Sequence, residues 1–374
     1  MRVIMTGGGT GGHVNPALQI ANEIKKQVPD AVITFVGTKR GIESTLVPKA
    51  GYEIDYVDVS GFRRSFGLKA IKHNLKALKL SVTSVSDAKR IIRIRQPDVV
   101  VGTGGYASWP TVKAASKCGI PCVIHEQNTY PGVTTRKLAP YASAVCISFD
   151  GSRKYFSEKD RDKIILTGNP VSAERISRAE ARAELGLSPD EPYILSFGGS
   201  MGARKVNELC LALMETYCVP HGIRHDHAVG RTEWEKFSAL ASEKGLDRQP
   251  NLTIAEYFFD MAKRQAAADV IICRAGAITL AELALRGKAA IYIPSPYVAE
   301  DHQYKNARLL ADAGAGIVYR EEELTVDVLE AAVDDLFKNP NKRKRIEDTV
   351  RNFAVEDAAS RIADTVVRLY EERG

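Results

Sequence analysis

The sequence predicts an α/β protein of two Rossmann-like, doubly wound parallel-sheet domains. Short Val- and Ile-rich runs alternate with helical patterns from end to end, and the series restarts once near Gly168-Asn169-Pro170. Three glycine clusters each follow a predicted strand, where doubly wound sheets bind ligands. A length of 374 residues exceeds one ordinary core and suits two domains.

In order, Val3–Thr6, Val32–Val36, Val99–Val101, Cys122–His125, Ala144–Ser148 and Ile164–Thr167 read as buried strands. Helical stretches such as Pro16–Gln27 and Lys113–Lys117 separate them. Ser172 to Glu191 is charged and carries no strand. A second series follows: Tyr193–Phe197, Ile223–Val229, Leu252–Ala255, Val270–Cys273, Ala290–Ile293 and Gly316–Val318. The tail from Asn341 to Gly374 reads as one long amphipathic helical pattern. Domains are expected over 1–166 and 167–344.

Composition narrows the class. No apolar run approaches the roughly 18 residues of a membrane span, and the N-terminus lacks the apolar core and cleavage site of a signal peptide. Residence in the cytosol is the expectation. The six cysteines form no C-x-x-C pair and lie near no histidine cluster at ligand spacing, so buried reduced thiols and no metal are expected. A net charge of +6 with no aromatic–basic stripe argues against nucleic acid. It permits attraction to anionic phospholipid or a diphosphate.

The glycine clusters are Gly7-Gly8-Gly9-Thr10-Gly11-Gly12-His13, Gly102-Thr103-Gly104-Gly105-Tyr106 and Gly198-Gly199-Ser200-Met201-Gly202-Ala203. Glycine lets backbone amides approach an anion, and a following helix N-terminus adds its positive end. Gly7, Gly9 and Gly12 satisfy the dinucleotide fingerprint, but the second strand ends in Gly37-Thr38-Lys39-Arg40 without the ribose-binding carboxylate. NADP could use Lys39 or Arg40, yet no hydride-transfer site is evident in the second half. No Gly-Lys-Ser/Thr closes a cluster, which excludes a P-loop. No cofactor is called for.

Five segments occur in order across most of the chain: Gly9-Thr10-Gly11-Gly12-His13-Val14, His125-Glu126-Gln127-Asn128, Thr167-Gly168-Asn169-Pro170-Val171, Gly198-Gly199-Ser200 and Arg274-Ala275-Gly276-Ala277. Together they resemble the MurG family, the peptidoglycan N-acetylglucosaminyltransferases of glycosyltransferase family 28. The resemblance implies a GT-B fold facing a cleft, its first domain completed by a C-terminal helix at about 345–374. It implies transfer of N-acetylglucosamine from UDP-N-acetylglucosamine to the muramyl 4-hydroxyl of lipid I, with inversion, to give lipid II. Ser172, Met201 and His302 depart from the family pattern, so no phosphate-pairing role passes to Ser172.

Inversion in one step needs a base for the acceptor hydroxyl and a cradle for departing UDP. Asp160-Arg161-Asp162 is the evident D-x-D, and it reads as a solvated turn rather than a metal site. The resemblance puts the donor on Ser200, on Ala277, Ile278, Thr279, Leu280 and Ala281 at a helix start, and on Glu282 for the ribose hydroxyls. Phe258 falls where a backbone reads uracil, and Gln303 and Asn128 where the sugar is contacted. Thr10, Gly11 and Gly12 join the donor set, and Gly104, Gly105, Tyr106, His125 and Glu126 form the acceptor side. His13 is the candidate base because an imidazole titrates near neutral pH. It could instead orient phosphate or cap its loop. His125 with Glu126, a neighbouring imidazole and carboxylate, is the rival.

Lipid I is membrane-anchored, so a peripheral position on the cytoplasmic face of the plasma membrane is expected. Within Gly61–Leu80, Leu68, Ile71, Leu75 and Leu78 share one helical face, and Lys69, Lys72, Lys76 and Lys79 follow one residue behind. Phe62, Arg63, Arg64 and Phe66 lead into it. The Phe62–Leu80 region is either a contact for an anionic membrane or a core-facing amphipathic helix with a solvated flank. Two other functions remain open: a UDP-N-acetylglucosamine epimerase of the same fold, and a non-catalytic nucleotide-sugar-binding protein.

Overall fold

A computed structural model describes residues 1–59, 83–172 and 176–373. The chain divides into two units, Met1–Ser172 with Asp357–Gly374, and Ala173–Glu356. The basic amphipathic segment Phe62–Leu80 lies outside the described residues. No helix among the described residues is long and apolar enough to cross a membrane.

The first unit carries seven strands: β1 (Arg2–Gly7), β2 (Val32–Gly37), β3 (Glu53–Tyr56), β4 (Val99–Gly104), β5 (Cys122–Glu126), β6 (Ala144–Ile147) and β7 (Ile164–Leu166). They pair in parallel in the order β3-β2-β1-β4-β5-β6-β7. Parallel strands covered on both faces read as unbroken apolar runs, as Val99-Val100-Val101 does. β3 escaped the sequence reading because it is an edge strand with carboxylates on alternate residues. Arg95 bridges Glu53 and Asp55, at 2.7 Å to each.

The helix Gly11–Gln27 begins five residues before the predicted start, because glycine's low helix propensity hides its first turn. The helix Ser108–Lys117 likewise begins ahead of Lys113. Val14, Ala17, Ile20, Ala21 and Ile24 line the buried stripe of the first helix. Ile362, Ala363 and Val366 of the terminal helix Ala358–Glu371 join the same core.

The second unit carries β8 (Tyr193–Phe197), β9 (Arg224–Ala228), β10 (Leu252–Ala255), β11 (Val270–Cys273), β12 (Ala290–Tyr292) and β13 (Ile317–Val318). Their order is β10-β9-β8-β11-β12-β13, again parallel. In each sheet the order reverses at one crevice, between β1 and β4 and between β8 and β11. The single tail helix expected from the sequence is two. Pro340–Arg351 buries Ile346 and Val350 in the second unit, and Ala358–Glu371 belongs to the first. Their apolar stripes serve different cores, so one continuous helix cannot satisfy both.

Five cysteines are buried and free, but Cys118 is exposed at the end of the helix Ser108–Lys117. Its expected burial is therefore corrected.

Candidate active site

In the first unit, β1 and β4 are neighbours and both run into glycine loops. The loops interlock. The Gly8 amide donates to the Gly104 carbonyl at 3.3 Å, and Gly104 and Gly105 hold φ of +107° and +79°. A Cβ on Gly105 would fall 2.1 Å from the Gly8 carbonyl oxygen, and one on Gly104 would fall 2.7 Å from His13 Nδ1. Only glycine fits either place.

Glu43, 1% exposed, ties the first loop from behind. Its carboxylate accepts from the Gly9 amide at 2.9 Å, the Thr38 amide at 2.9 Å and the Thr38 hydroxyl at 2.7 Å. One loop amide is thus taken, and a carboxylate lies beside the loop, so this is not the open anion cradle its glycines suggest. What the loop presents is the helix N-terminus, with Thr10 as N-cap residue followed by Gly11 and Gly12. In the second loop the Gly104 amide donates to the Ser108 hydroxyl at 3.1 Å. Gly104 is itself buried, so Gly105 and exposed Tyr106 are the loop's accessible part.

His13 sits half-buried in the first turn of the helix Gly11–Gln27. Its Nδ1 lies 3.0 Å from the Thr103 carbonyl oxygen and 3.0 Å from Gln127 Oε1. The Thr103 hydroxyl holds the same residue by donating to its carbonyl at 2.7 Å. Behind it, the Gln127 amide nitrogen contacts the Thr103 carbonyl at 2.9 Å and His125 Nδ1 at 2.9 Å. His125 Nε2 lies 3.0 Å from the Gly168 carbonyl oxygen, and burial pushes this imidazole down to about 4.

His125 is fully buried and Glu126 is 2% exposed, so neither offers a surface to an acceptor in this conformation. Nor do they share a proton, because neighbouring residues on a strand point to opposite faces. Glu126 instead accepts from the Asn128 amide at 3.0 Å, the Asn128 side chain at 3.1 Å and the Gly132 amide at 2.8 Å. It shapes the loop that presents half-buried Asn128. Asp160 also departs from the solvated turn expected of it. It is 5% exposed and accepts from Lys163 at 3.3 Å, so Asp160 and Asp162 do not form an open carboxylate pair.

In the second unit, β8 runs into Gly198–Gly202 and then the helix Arg204–Leu213. Gly202 holds φ +89°, and a Cβ there would meet the Val229 carbonyl oxygen at 2.4 Å. This packing leaves Ser200 and Met201 exposed, with the Ser200 carbonyl accepting from the Arg231 amide at 3.2 Å. β11 leads into the helix Ala277–Arg286, whose N-cap residue is Gly276. Its first turn carries Ala277, Ile278 and Thr279, then Leu280 and Ala281. Arg274, before it, is held by Glu321 and the Ile293 carbonyl, so it braces the loop.

Glu282 is half-buried one turn further on and accepts from Gln265 at 3.3 Å, and burial raises its carboxyl above the ordinary range. The Phe258 ring is 5% exposed under Arg264, 4.0 Å from the ring centroid, so its backbone rather than its side chain is what the loop can present. Gln303 Oε1 accepts from the Ser295 amide at 2.9 Å, so its oxygen is already committed within the loop. His302 Nδ1 lies 2.8 Å from the Ala299 carbonyl oxygen.

Family models of the glycosyltransferase family 28 N-terminal and C-terminal domains match residues 3–147 and 193–362. A protein of Acetivibrio thermocellus is 40% identical over 98% of this chain and 97% of its own length. Its name is UDP-N-acetylglucosamine–N-acetylmuramyl-(pentapeptide) pyrophosphoryl-undecaprenol N-acetylglucosamine transferase. The crystal structure of Acinetobacter baumannii MurG is 32% identical, with a TM-score of 0.75 over 98% of this chain and 99% of that one. The chain belongs to the MurG family of glycosyltransferase family 28. It is therefore a hexosyltransferase of GT-B fold. The UDP-GlcNAc 2-epimerase of Neisseria meningitidis bound to UDP-GlcNAc matches at 14% identity and TM-score 0.67, which shows a shared fold alone.

Two residues of this MurG-family site were not singled out from the sequence. Glu43 has no motif, only its place after the second strand. Gln127 stood inside a quoted motif, and strand periodicity could have paired it with His125. The structure also gathers Cys210, His225 and His227, which corrects the expectation that the cysteines lie near no histidine cluster, and the spacing His225-x-His227 was the available signal. Ser196 Oγ lies between the imidazoles, 2.6 Å from His225 Nε2 and 2.7 Å from His227 Nδ1. The grouping reads as a hydrogen-bonded core network of the second sheet.

Proposed function

We infer that this chain transfers N-acetylglucosamine from UDP-N-acetylglucosamine to the N-acetylmuramyl-(pentapeptide) pyrophosphoryl-undecaprenol acceptor, forming lipid II in peptidoglycan synthesis. The carrying observation is near-full-length identity of 40% to a relative of that name. In the mechanism we favour, the muramyl 4-hydroxyl attacks the anomeric carbon as His13 Nε2 takes its proton. The bond to the UDP oxygen breaks, and the configuration inverts from α to β. The departing diphosphate is stabilised by the helix N-termini after Ser200 and Gly276, which need no divalent cation for this.

Ala277–Ala281, Glu282 on the ribose, the Phe258 backbone on the base, and Gln303 on the sugar complete the donor set. Thr10, Gly11, Gly12 and Asn128 are further candidate donor contacts. Gly105 and Tyr106 meet the acceptor diphosphate, while Glu126 and His125 act through Asn128 and Gln127. The protein works as a peripheral enzyme at an anionic membrane through the Phe62–Leu80 region. Vesicle binding that survives charge reversal of Lys69, Lys72, Lys76 and Lys79 overturns that last point.

The test is UDP release from UDP-N-acetylglucosamine with and without a lipid I analogue, in EDTA. Acceptor-dependent release in EDTA is expected. Epimer formation without acceptor, or binding without turnover, overturns the reading. His13→Ala should cut kcat by roughly 100-fold or more with donor KM little changed, as for loss of a general base. Near-normal turnover removes His13 from the mechanism.

A further inference from the structure

Proton transfer to His13 works only if the lone pair faces the acceptor, and a neutral imidazole carries its single proton on either nitrogen. The contacts around Gln127 decide which. We propose that Gln127 is a positioning residue that holds His13 in the Nδ1–H tautomer, leaving Nε2 as the basic atom. The proposal rests on the reading of His13 as the base.

The network begins at buried His125. His125 Nε2 lies 3.0 Å from the Gly168 carbonyl oxygen, which can only accept, so Nε2 carries the proton. This imidazole is fully buried, and burial keeps it neutral. Its Nδ1 is therefore an acceptor, and the group 2.9 Å away on Gln127 must be the amide donor. The same Gln127 nitrogen faces the Thr103 carbonyl at 2.9 Å and the His125 carbonyl at 3.2 Å. Three acceptors surround one end of the amide, so a flipped side chain would set its oxygen against all of them.

Oε1 must then be the Gln127 atom at 3.0 Å from His13 Nδ1. That nitrogen faces a second acceptor, the Thr103 carbonyl, also at 3.0 Å. A bare lone pair there would oppose two oxygens, whereas an N–H satisfies both. Nε2 is left unprotonated, with no hydrogen bond to any described residue. When it takes the acceptor proton, the imidazolium's Nδ1–H remains between Gln127 Oε1 and the Thr103 oxygen. Both oxygens favour the cation that forms as the sugar transfers. Gly104 enforces the geometry, since a side chain there would meet the ring.

The experiment is a long-range 1H–15N correlation of histidine-labelled full-length protein, with the His13 ring assigned by comparison with His13→Ala. The wild type should show a protonated, pyrrole-type Nδ1 and a pyridine-type Nε2. In Gln127→Leu the two signals should move towards the other tautomer. kcat should fall at least 10-fold while the KM for UDP-N-acetylglucosamine changes less than 3-fold. Gln127→Met, unbranched and closer in shape, serves if the Leu variant does not fold. A pyridine-type Nδ1 in the wild type overturns the proposal. So does a Gln127 variant that folds and keeps both the tautomer and kcat, because the Thr103 carbonyl would then suffice alone. A purely structural Gln127 would lower Tm without moving the nitrogen signals. The base reading fails separately, through an active His13→Ala.

Discussion

Gly104→Ala offers a graded test of whether the placement of the His13 ring sets turnover. The new Cβ would stand 2.7 Å from Nδ1, and ordinary contact begins near 3.4 Å, so the ring or loop must yield by about 0.7 Å. A misplacement of about 1 Å can cost on the order of 100-fold in rate, so kcat should fall roughly 10- to 100-fold. The substitution also forces a side chain into the left-handed region at φ +107°, at about 1–2 kcal/mol. Gly119→Ala is the matched control: its φ is +70°, yet nothing lies within 4 Å of its Cβ. For a unit of this size each kcal/mol moves Tm by about 2–4 °C. Calorimetry should therefore show a loss of several degrees in both variants. Only Gly104→Ala should lose turnover in the acceptor-dependent UDP-release assay. If the two variants match in kcat to within about 3-fold, placement of the His13 ring does not set turnover.

Glu282→Gln should raise the donor KM by roughly 10-fold, as for loss of one of two accepted hydroxyls. In the wild type the same KM should rise as pH falls towards that carboxyl's raised pKa, which steady-state kinetics across pH reads directly. Burial holds His125 at about 4 and His227 at about 3, against 6.5 when exposed. The unfolded chain thus binds the extra protons, and stability is complete above about pH 6.5 and lost as pH falls towards 4. His125 alone accounts for about 3 kcal/mol of that loss, so His125→Asn should flatten the acid limb of Tm measured by calorimetry. A thiol reagent should titrate one cysteine, Cys118, in the native protein and six after denaturation.

The strand series was legible because parallel strands buried on both faces are written in Val and Ile, and each glycine cluster marks the end of such a strand. What the pattern missed was local context. β3 hid behind alternating carboxylates, and two helix starts hid behind glycine and beside a strand end. The tail read as one helix because a continuing apolar period does not reveal which core each half enters. The glycines marked where loops turn tightly, and the structure shows that part of this need is internal. Gly8, Gly104 and Gly105 interlock, and Glu43 takes an amide that a phosphate reading would have assigned to ligand. A glycine loop at a strand end therefore locates a site more securely than it identifies which amides serve the ligand.

The segment His125-Glu126-Gln127-Asn128 carries the same lesson further. Read as one cluster, it suggests an imidazole and a carboxylate sharing a proton. Read with the two-residue period of the strand that delivers it, it separates into two pairs. His125 and Gln127 bond to each other at 2.9 Å and continue to His13, while Glu126 and Asn128 bond to each other at 3.1 Å and shape the following loop. The carboxylate never meets the imidazole, which is why burial leaves His125 neutral rather than charged. A charged His125 would donate from both nitrogens, turn the Gln127 amide around, and set an N–H rather than an oxygen against His13. The neutrality of one buried histidine thus orients the Gln127 amide, and through it the side of His13 that is free to take a proton.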